Sequence, residues 1–275
     1  MYTRTISPPA PKPKSANELL AEVLADPEAD APRMVYADWL TQAGDPRGEF
    51  IALQLERDRL GEGAPAQLAE RKAELLKKHK KAWVGEFACT RIEYGFEGGG
   101  DYVRGTPTKC HFRRGFVDSV DMQVFDFIRN APGVFAREPL RRYHPTSGSV
   151  TQLFAEGTAL ERLRVLDFQP WKFHGTELRE VAIDAKCTRL EELVLTNCKI
   201  GTAAMIEFAT HAVEKPSLRV LRAGWNAFGD KGALVLAASP ILRSLTKLQL
   251  RSSKITAKGK SVLEASVRKA VELEL

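Results

Sequence analysis

Four stretches in the C-terminal half repeat at a near-fixed interval, and that interval constrains the fold of this chain more than any other feature. Leu163, Leu166 and Phe168 mark the first; Leu190, Leu193 and Leu195 the second; Leu218, Leu221 and Ala223 the third; Leu245, Leu248 and Leu250 the fourth. Successive starts lie 27, 28 and 27 residues apart. Three of the four run on to a small or amide residue and then an apolar one: Cys198 and Ile200, Asn226 and Phe228, Ser253 and Ile255. Self-similarity at this period marks a stacked repeat, in which no unit buries its apolar face alone and neighbours complete the core. Alternation within each stretch predicts a short strand. Helical apolar spacing after it (Met205, Ile206, Phe208 and Ala209; Ala233, Leu234, Leu236 and Ala237; Val262, Leu263 and Val267) predicts a helix that returns the chain.

The three apolar positions followed by a Cys or Asn position resemble the leucine-rich repeat. The period and the helical return resemble its ribonuclease-inhibitor-like class, also seen in activators of Ran-type GTPases. The resemblance implies an α/β fold: a right-handed solenoid with parallel strands on a concave side and helices on a convex one. Looser matches at Val117, Val120 and Met122 and at Leu140, Tyr143 and Pro145, with starts stepping by 23 residues, read as degenerate first repeats. Val124, Phe125, Phe127 and Ile128 would form the helix between them, leaving the pairs Arg113, Arg114 and Arg141, Arg142 exposed. Cys198 is read as structural, Trp171 and Ala223 depart from the pattern, and the alternation of Val271, Leu273 and Leu275 fits a last strand with Glu272 and Glu274 opposing edge pairing.

In such a unit the residues between inward-pointing leucines face out. One column then reads Asp121, His144, Asp167, Val194, Arg222, Gln249; the next reads Gln123, Thr146, Gln169, Thr196, Gly224, Arg251; beyond lie Pro170, Asn197, Trp225 and Ser252. This surface runs from acidic and polar at its N-terminal end to basic and aromatic at its C-terminal end. Asp167, Gln169, Thr196, Arg222, Trp225, Gln249 and Arg251 are the candidate partner-binding residues, with Trp225 foremost because tryptophan and arginine dominate interface hot spots.

Upstream the periodicity changes. Residues 1–14, with four prolines among Ser, Thr and Lys, are read as a disordered tail. Ser15 and Glu18 form a capping box ahead of a helix carrying Leu19, Leu20, Val23 and Leu24. A second helix starts near Asp30 and ends at Gly44, with Val35, Trp39, Tyr36 and Leu40 towards its neighbours; a third runs from Asp45 and Pro46 to about Leu60; a fourth runs from Ala66 to Phe87. The run from Ala31 to Leu40 and from Gly44 to Ile51, with Gln54, resembles the small repeat-companion domain of myxobacterial and planctomycete proteins, often found ahead of leucine-rich repeats. The resemblance covers roughly residues 16–60 and implies a bacterial setting and no established catalytic activity. Asp38, Asp45, Arg47 and Glu49 match its polar pattern and are expected to form ion pairs and helix caps or to dock a partner. The expected organisation is therefore a tail at 1–14, a helical domain at 15–88, a β-hairpin-like connection at 89–115 and a solenoid at 116–275.

Charge separates the halves. Residues 16–60 hold 4 basic and 10 acidic side chains, whereas residues 161–275 hold 19 basic and 13 acidic. With an overall pI of about 9.1, the basic half is read either as solvated surface or as a footprint for an acidic protein or a nucleic acid. No run approaches the ~18 apolar residues of a membrane span, and the N-terminus lacks a signal peptide's apolar core, so a cytoplasmic location is expected. The four cysteines (Cys89, Cys110, Cys187, Cys198) show no C-x-x-C pair, and the histidines at 79, 111, 144, 174 and 211 show no ligand spacing. Gly98, Gly99 and Gly100 lack the lysine of a phosphate-binding loop. No catalytic motif, cofactor site or metal site is expected. The expected function is a non-catalytic protein-binding adaptor or regulator, with a nucleic-acid-associated factor as the alternative and a small-GTPase regulator as a weaker one by fold analogy. Neither the partner nor the oligomeric state is legible.

Overall fold

A computed structural model describes residues 14–85, 109–173 and 176–275. The tail (except Lys14), Phe87, His174 and the part of the expected hairpin-like connection before Lys109, with Cys89 and the glycine run at 98–100, lie outside the described residues. The chain divides into two compact units: one comprises residues to Lys80 together with Arg113–Phe116, the other Lys81–Phe112 and Val117–Leu275.

The first unit is helical. Helix α1 (Ala16–Ala25) begins with the expected capping box, Ser15 taking the Glu18 amide and the Glu18 side chain reaching back to Ser15. Helix α2 (Asp30–Gln42) and helix α3 (Pro46–Leu60) follow, then helix α4 (Ala66–Val84). Asp45 caps α3 by accepting from the Arg47 amide at 2.8 Å, and Glu49 grips Arg71 through both carboxylate oxygens at 2.6 and 2.8 Å. Helices α2 and α3 pack closely at Gly48, where a Cβ would stand 2.5 Å from the Ala37 carbonyl oxygen. Val23, Ala37, Leu40, Ile51 and Phe116 form the core. Leu40 is buried as expected, but Val35 is exposed, and α2 turns Arg33 and Ala37 inward beside Leu40. The phase follows from Arg33, whose guanidinium donates to the Pro27 and Arg114 carbonyls. Arg113 and Arg114 are likewise half-buried among carboxylates instead of free in solvent.

The second unit is a mixed α/β stack. Strands β1 (Lys109–Arg113), β2 (Phe116–Met122), β3 (Arg142–Pro145), β4 (Val165–Asp167), β5 (Glu192–Val194), β6 (Val220–Arg222), β7 (Lys247–Gln249) and β8 (Glu272–Glu274) form one sheet in sequential order. From β2 to β8 every pairing is parallel. The register places Val120, Tyr143, Leu166, Leu193, Leu221, Leu248 and Leu273 side by side, as the repeat alignment requires. Helices α5 (Val124–Phe135), α6 (Val150–Glu156), α7 (Glu177–Ile183), α8 (Thr202–His211), α9 (Gly229–Ala237) and α10 (Ala257–Ser266) return the chain between strands, and consecutive ones pack on each other. The repeated leucines are almost wholly buried in one continuous core, each contributing roughly 1.5–3 kcal/mol on burial. Phe125 does not join that core and is exposed on α5. Arg141 and Arg142 are half-buried, not exposed as expected.

Candidate binding face of the sheet

The inward leucines fix what lies opposite them. In β6, Leu221 is buried while Val220 and Arg222 are partly open, and β7 repeats the pattern with Leu248 between Lys247 and Gln249. The outward face thus has two columns. The sequence reading found the one through Arg222 and Gln249 but missed its neighbour through Arg142, Val165, Glu192, Val220, Lys247 and Glu272. Strict period-two alternation would have found it, since Glu192 and Val194 lie two residues apart on one strand.

The columns are cross-linked by side chains. Arg222 Nε donates to Glu192 Oε1 at 2.5 Å and its Nη1 to Gln249 Oε1 at 3.0 Å. Gln249 passes the contact on, its amide donating to Glu274 Oε2 at 2.8 Å. Lys247 bridges Glu272 and Glu274 at 2.7 and 2.6 Å, and Arg251 Nε lies 3.1 Å from Glu274. Hydrogen bonds from Lys247 and Gln249 hold the Glu274 carboxyl down at about 2. The basic C-terminal end expected from sequence is accordingly a mixed-sign network, because β8 supplies carboxylates to the cations of β7. Further along, Asp167 is buried, ion-paired with Arg142, and accepts from the Gln169 amide at 2.9 Å. Its column neighbour Val194 is also buried. His144 Nδ1 donates to the Asp167 carbonyl at 2.9 Å, and burial pulls the imidazole below its ordinary value. Gln169 is exposed and Thr196 partly so. A cleft of about 350 Å³ lined by His144, Pro145, Thr146, Pro170, Trp171 and Lys172 opens beside them.

Beyond the strands β5, β6 and β7 the chain turns through an interior polar ladder. Asn226, buried, accepts from the amides of Cys198 and Ile200 and donates to the carbonyls of Leu195, Ala223 and Gly224. Cys198 and Ser253 occupy the same position one repeat either side, bonding the Phe168 and Ala223 carbonyls respectively, and burial pushes the Cys198 thiol up to about 12. The residue before each of these takes a left-handed backbone: Asn197 at φ 55°, Trp225 at φ 58° and Ser252 at φ 60°. Asparagine visits this region readily, whereas a bulky aromatic residue does so at a cost. Trp225 bears that cost while 66% exposed, with its backbone amide tied to the Arg251 carbonyl at 2.7 Å.

A family profile described as Leucine Rich repeat matches residues 214–237, the stretch that holds β6, Trp225, Asn226 and α9. The match supports the leucine-rich-repeat nature of the chain and accords with the parallel sheet and its alternating helices. A search of curated proteins gave no match. No described helix is long and apolar enough to cross a membrane.

Proposed function

We propose that this chain is a non-catalytic protein-interaction module, an adaptor or regulator, that holds a protein partner at the C-terminal ends of its central strands with Trp225 as the anchor. The carrying observation is the exposed tryptophan in a left-handed backbone position that Asn197 and Ser252 fill in adjacent repeats. Strain kept without a packing return is characteristic of positions selected for contact, and exposed tryptophan is the side chain with most to gain from burial at an interface. The charged groups around it serve register more than affinity, because Arg222, Lys247 and Arg251 are already paired with Glu192, Glu272 and Glu274, and Gln249 bridges Arg222 to Glu274, in the free chain. The same pairing argues against a phosphate-binding face, since its cations are matched by carboxylates. With it go a right-handed solenoid, an N-terminal domain of the repeat-companion type with bounds near 15–88, a cytoplasmic setting, and a binding set of Gln169, Thr196, Arg222, Trp225, Gln249 and Arg251, with the buried Asp167 supporting the set from beneath through Arg142 and the Gln169 amide.

Affinity capture with wild type beside the double variant Arg222→Ala/Trp225→Ala tests it, at low and moderate salt and with folding checked by thermal melting. A protein retained by wild type across the salt range and lost by the folded variant supports the reading. Recovery of nucleic acid that disappears between low and moderate salt favours the nucleic-acid alternative. Identical proteins on both baits reject the assigned face.

A further inference from the structure

The four residues Arg113–Phe116 are embedded in the helical unit through polar contacts to their main chain as well as through the core residue Phe116. Their main chain is read by side chains: Arg33 Nη1 donates to the Arg114 carbonyl at 3.4 Å, Arg47 Nε to the Gly115 carbonyl at 3.2 Å, and Gln54 Oε1 accepts from the Gly115 amide at 2.6 Å. Arg114 and Gly115 form a left-handed turn, with φ of 51° and 84°. A Cβ on Gly115 would stand 2.1 Å from Ile51 Cγ1 and 2.8 Å from Ile51 Cα, so only glycine fits. The Phe116 ring is fully buried beneath two guanidinium groups, those of Arg33 and Arg47, at 5.0 and 4.7 Å, and stacks on Tyr36. Arg114 donates to the Glu28 carbonyl at 2.6 Å and lies within 3.4–3.8 Å of the carboxylates of Glu28, Asp30 and Asp58, while Arg113 meets Glu28 at 3.6 Å.

We propose that the helical unit is a recognition site for a polypeptide turn of basic–basic–glycine–aromatic sequence, occupied here by the chain's own Arg113–Phe116, and that a protein presenting the same turn binds the site when the internal copy is withdrawn. Each element of that turn has its own reader: acidic side chains for the two bases, close backbone approach for the glycine, paired guanidinium groups for the ring. Arg33 and Gln54 are buried, and burying such groups is costly unless carbonyl, amide and aromatic partners are supplied. The seated turn supplies all three. Three carboxylates of the acidic stretch 16–60, those of Glu28, Asp30 and Asp58, are the charge complement of the two arginines.

An internal ligand acts at an effective concentration on the order of millimolar, so a free turn at micromolar concentration does not displace it from the wild-type chain. The test uses a fluorescently labelled decapeptide of residues 111–120 against full-length protein. Gly115→Ala expels the internal copy by collision with Ile51, and Arg114→Glu expels it by charge without entering the core. Both variants are expected to bind the peptide at least about tenfold more tightly than wild type and to melt at higher temperature in its presence. A control peptide with Phe116→Ala fails to bind either. Absence of peptide binding to a folded variant, or of peptide-restored folding where a variant unfolds, overturns the proposal and leaves the turn as internal packing alone.

Discussion

The side-chain oxygen of Asn226 lies 3.1 Å from the backbone nitrogen of Cys198, one repeat earlier in the chain, and 3.0 Å from that of Ile200. One buried amide thus satisfies two donors of the preceding turn while its own nitrogen serves three carbonyls. Replacing Asn226 with Ala strands these groups away from water, each uncompensated one costing roughly 1–3 kcal/mol. Asn226→Ala should therefore lose about 3 kcal/mol or more in urea unfolding. A loss below about 1 kcal/mol would show that the neighbouring turns re-pair without it.

Gly48 tests the helical unit separately. Any Cβ there collides with the Ala37 carbonyl oxygen at 2.5 Å and the Thr41 backbone nitrogen at 2.7 Å, and neither backbone atom can swing aside as a flexible side chain would. Gly48→Ala should cost about 2–3 kcal/mol, the scale of overpacking. Hydrogen exchange is the appropriate readout, with amides of α2 and α3 losing protection while those of β5 to β7 keep theirs.

Acid should loosen the β7 and β8 end of the sheet. Glu274, held at about 2 against an ordinary 4.5 chiefly by Lys247, carries a depressed folded-state value. Its contribution is complete above 4.5 and is lost as the pH falls towards 2. Thermal melts of wild type and Glu274→Gln should differ at neutral pH and converge across that window. A difference that stays constant down to pH 2 would mean the carboxylate does not matter to this end of the sheet.

Much of this architecture was legible because leucine spacing is dictated by burial, and burial leaves a period in the sequence. The register from Leu166 to Leu248 follows from that period. What the period does not carry is the pairing of outward side chains. Arg251 reads as a free cation until β8 brings Glu274 beside it, and Asp167 reads as exposed until Arg142 covers it. The final repeat was only half seen, because its leading position is Ala270 in place of leucine. In the helical unit the error at Val35 has the same origin: a hydrophobic pattern assigns the inward stripe to apolar residues, whereas here a buried arginine sets it. The left-handed backbone of Trp225 had no sequence counterpart, since it leaves no period.

The measurement that bears most directly on the central claim separates stability from binding at Trp225. Asparagine accepts the left-handed backbone with less strain, and relieving a residue's left-handed penalty is worth on the order of 1 kcal/mol. Trp225→Asn should therefore melt at the same temperature as wild type or higher, while failing to retain the protein partner that wild type captures. Equal retention of that partner by Trp225→Asn, or a marked fall in melting temperature, would contradict the account and assign the tryptophan to packing.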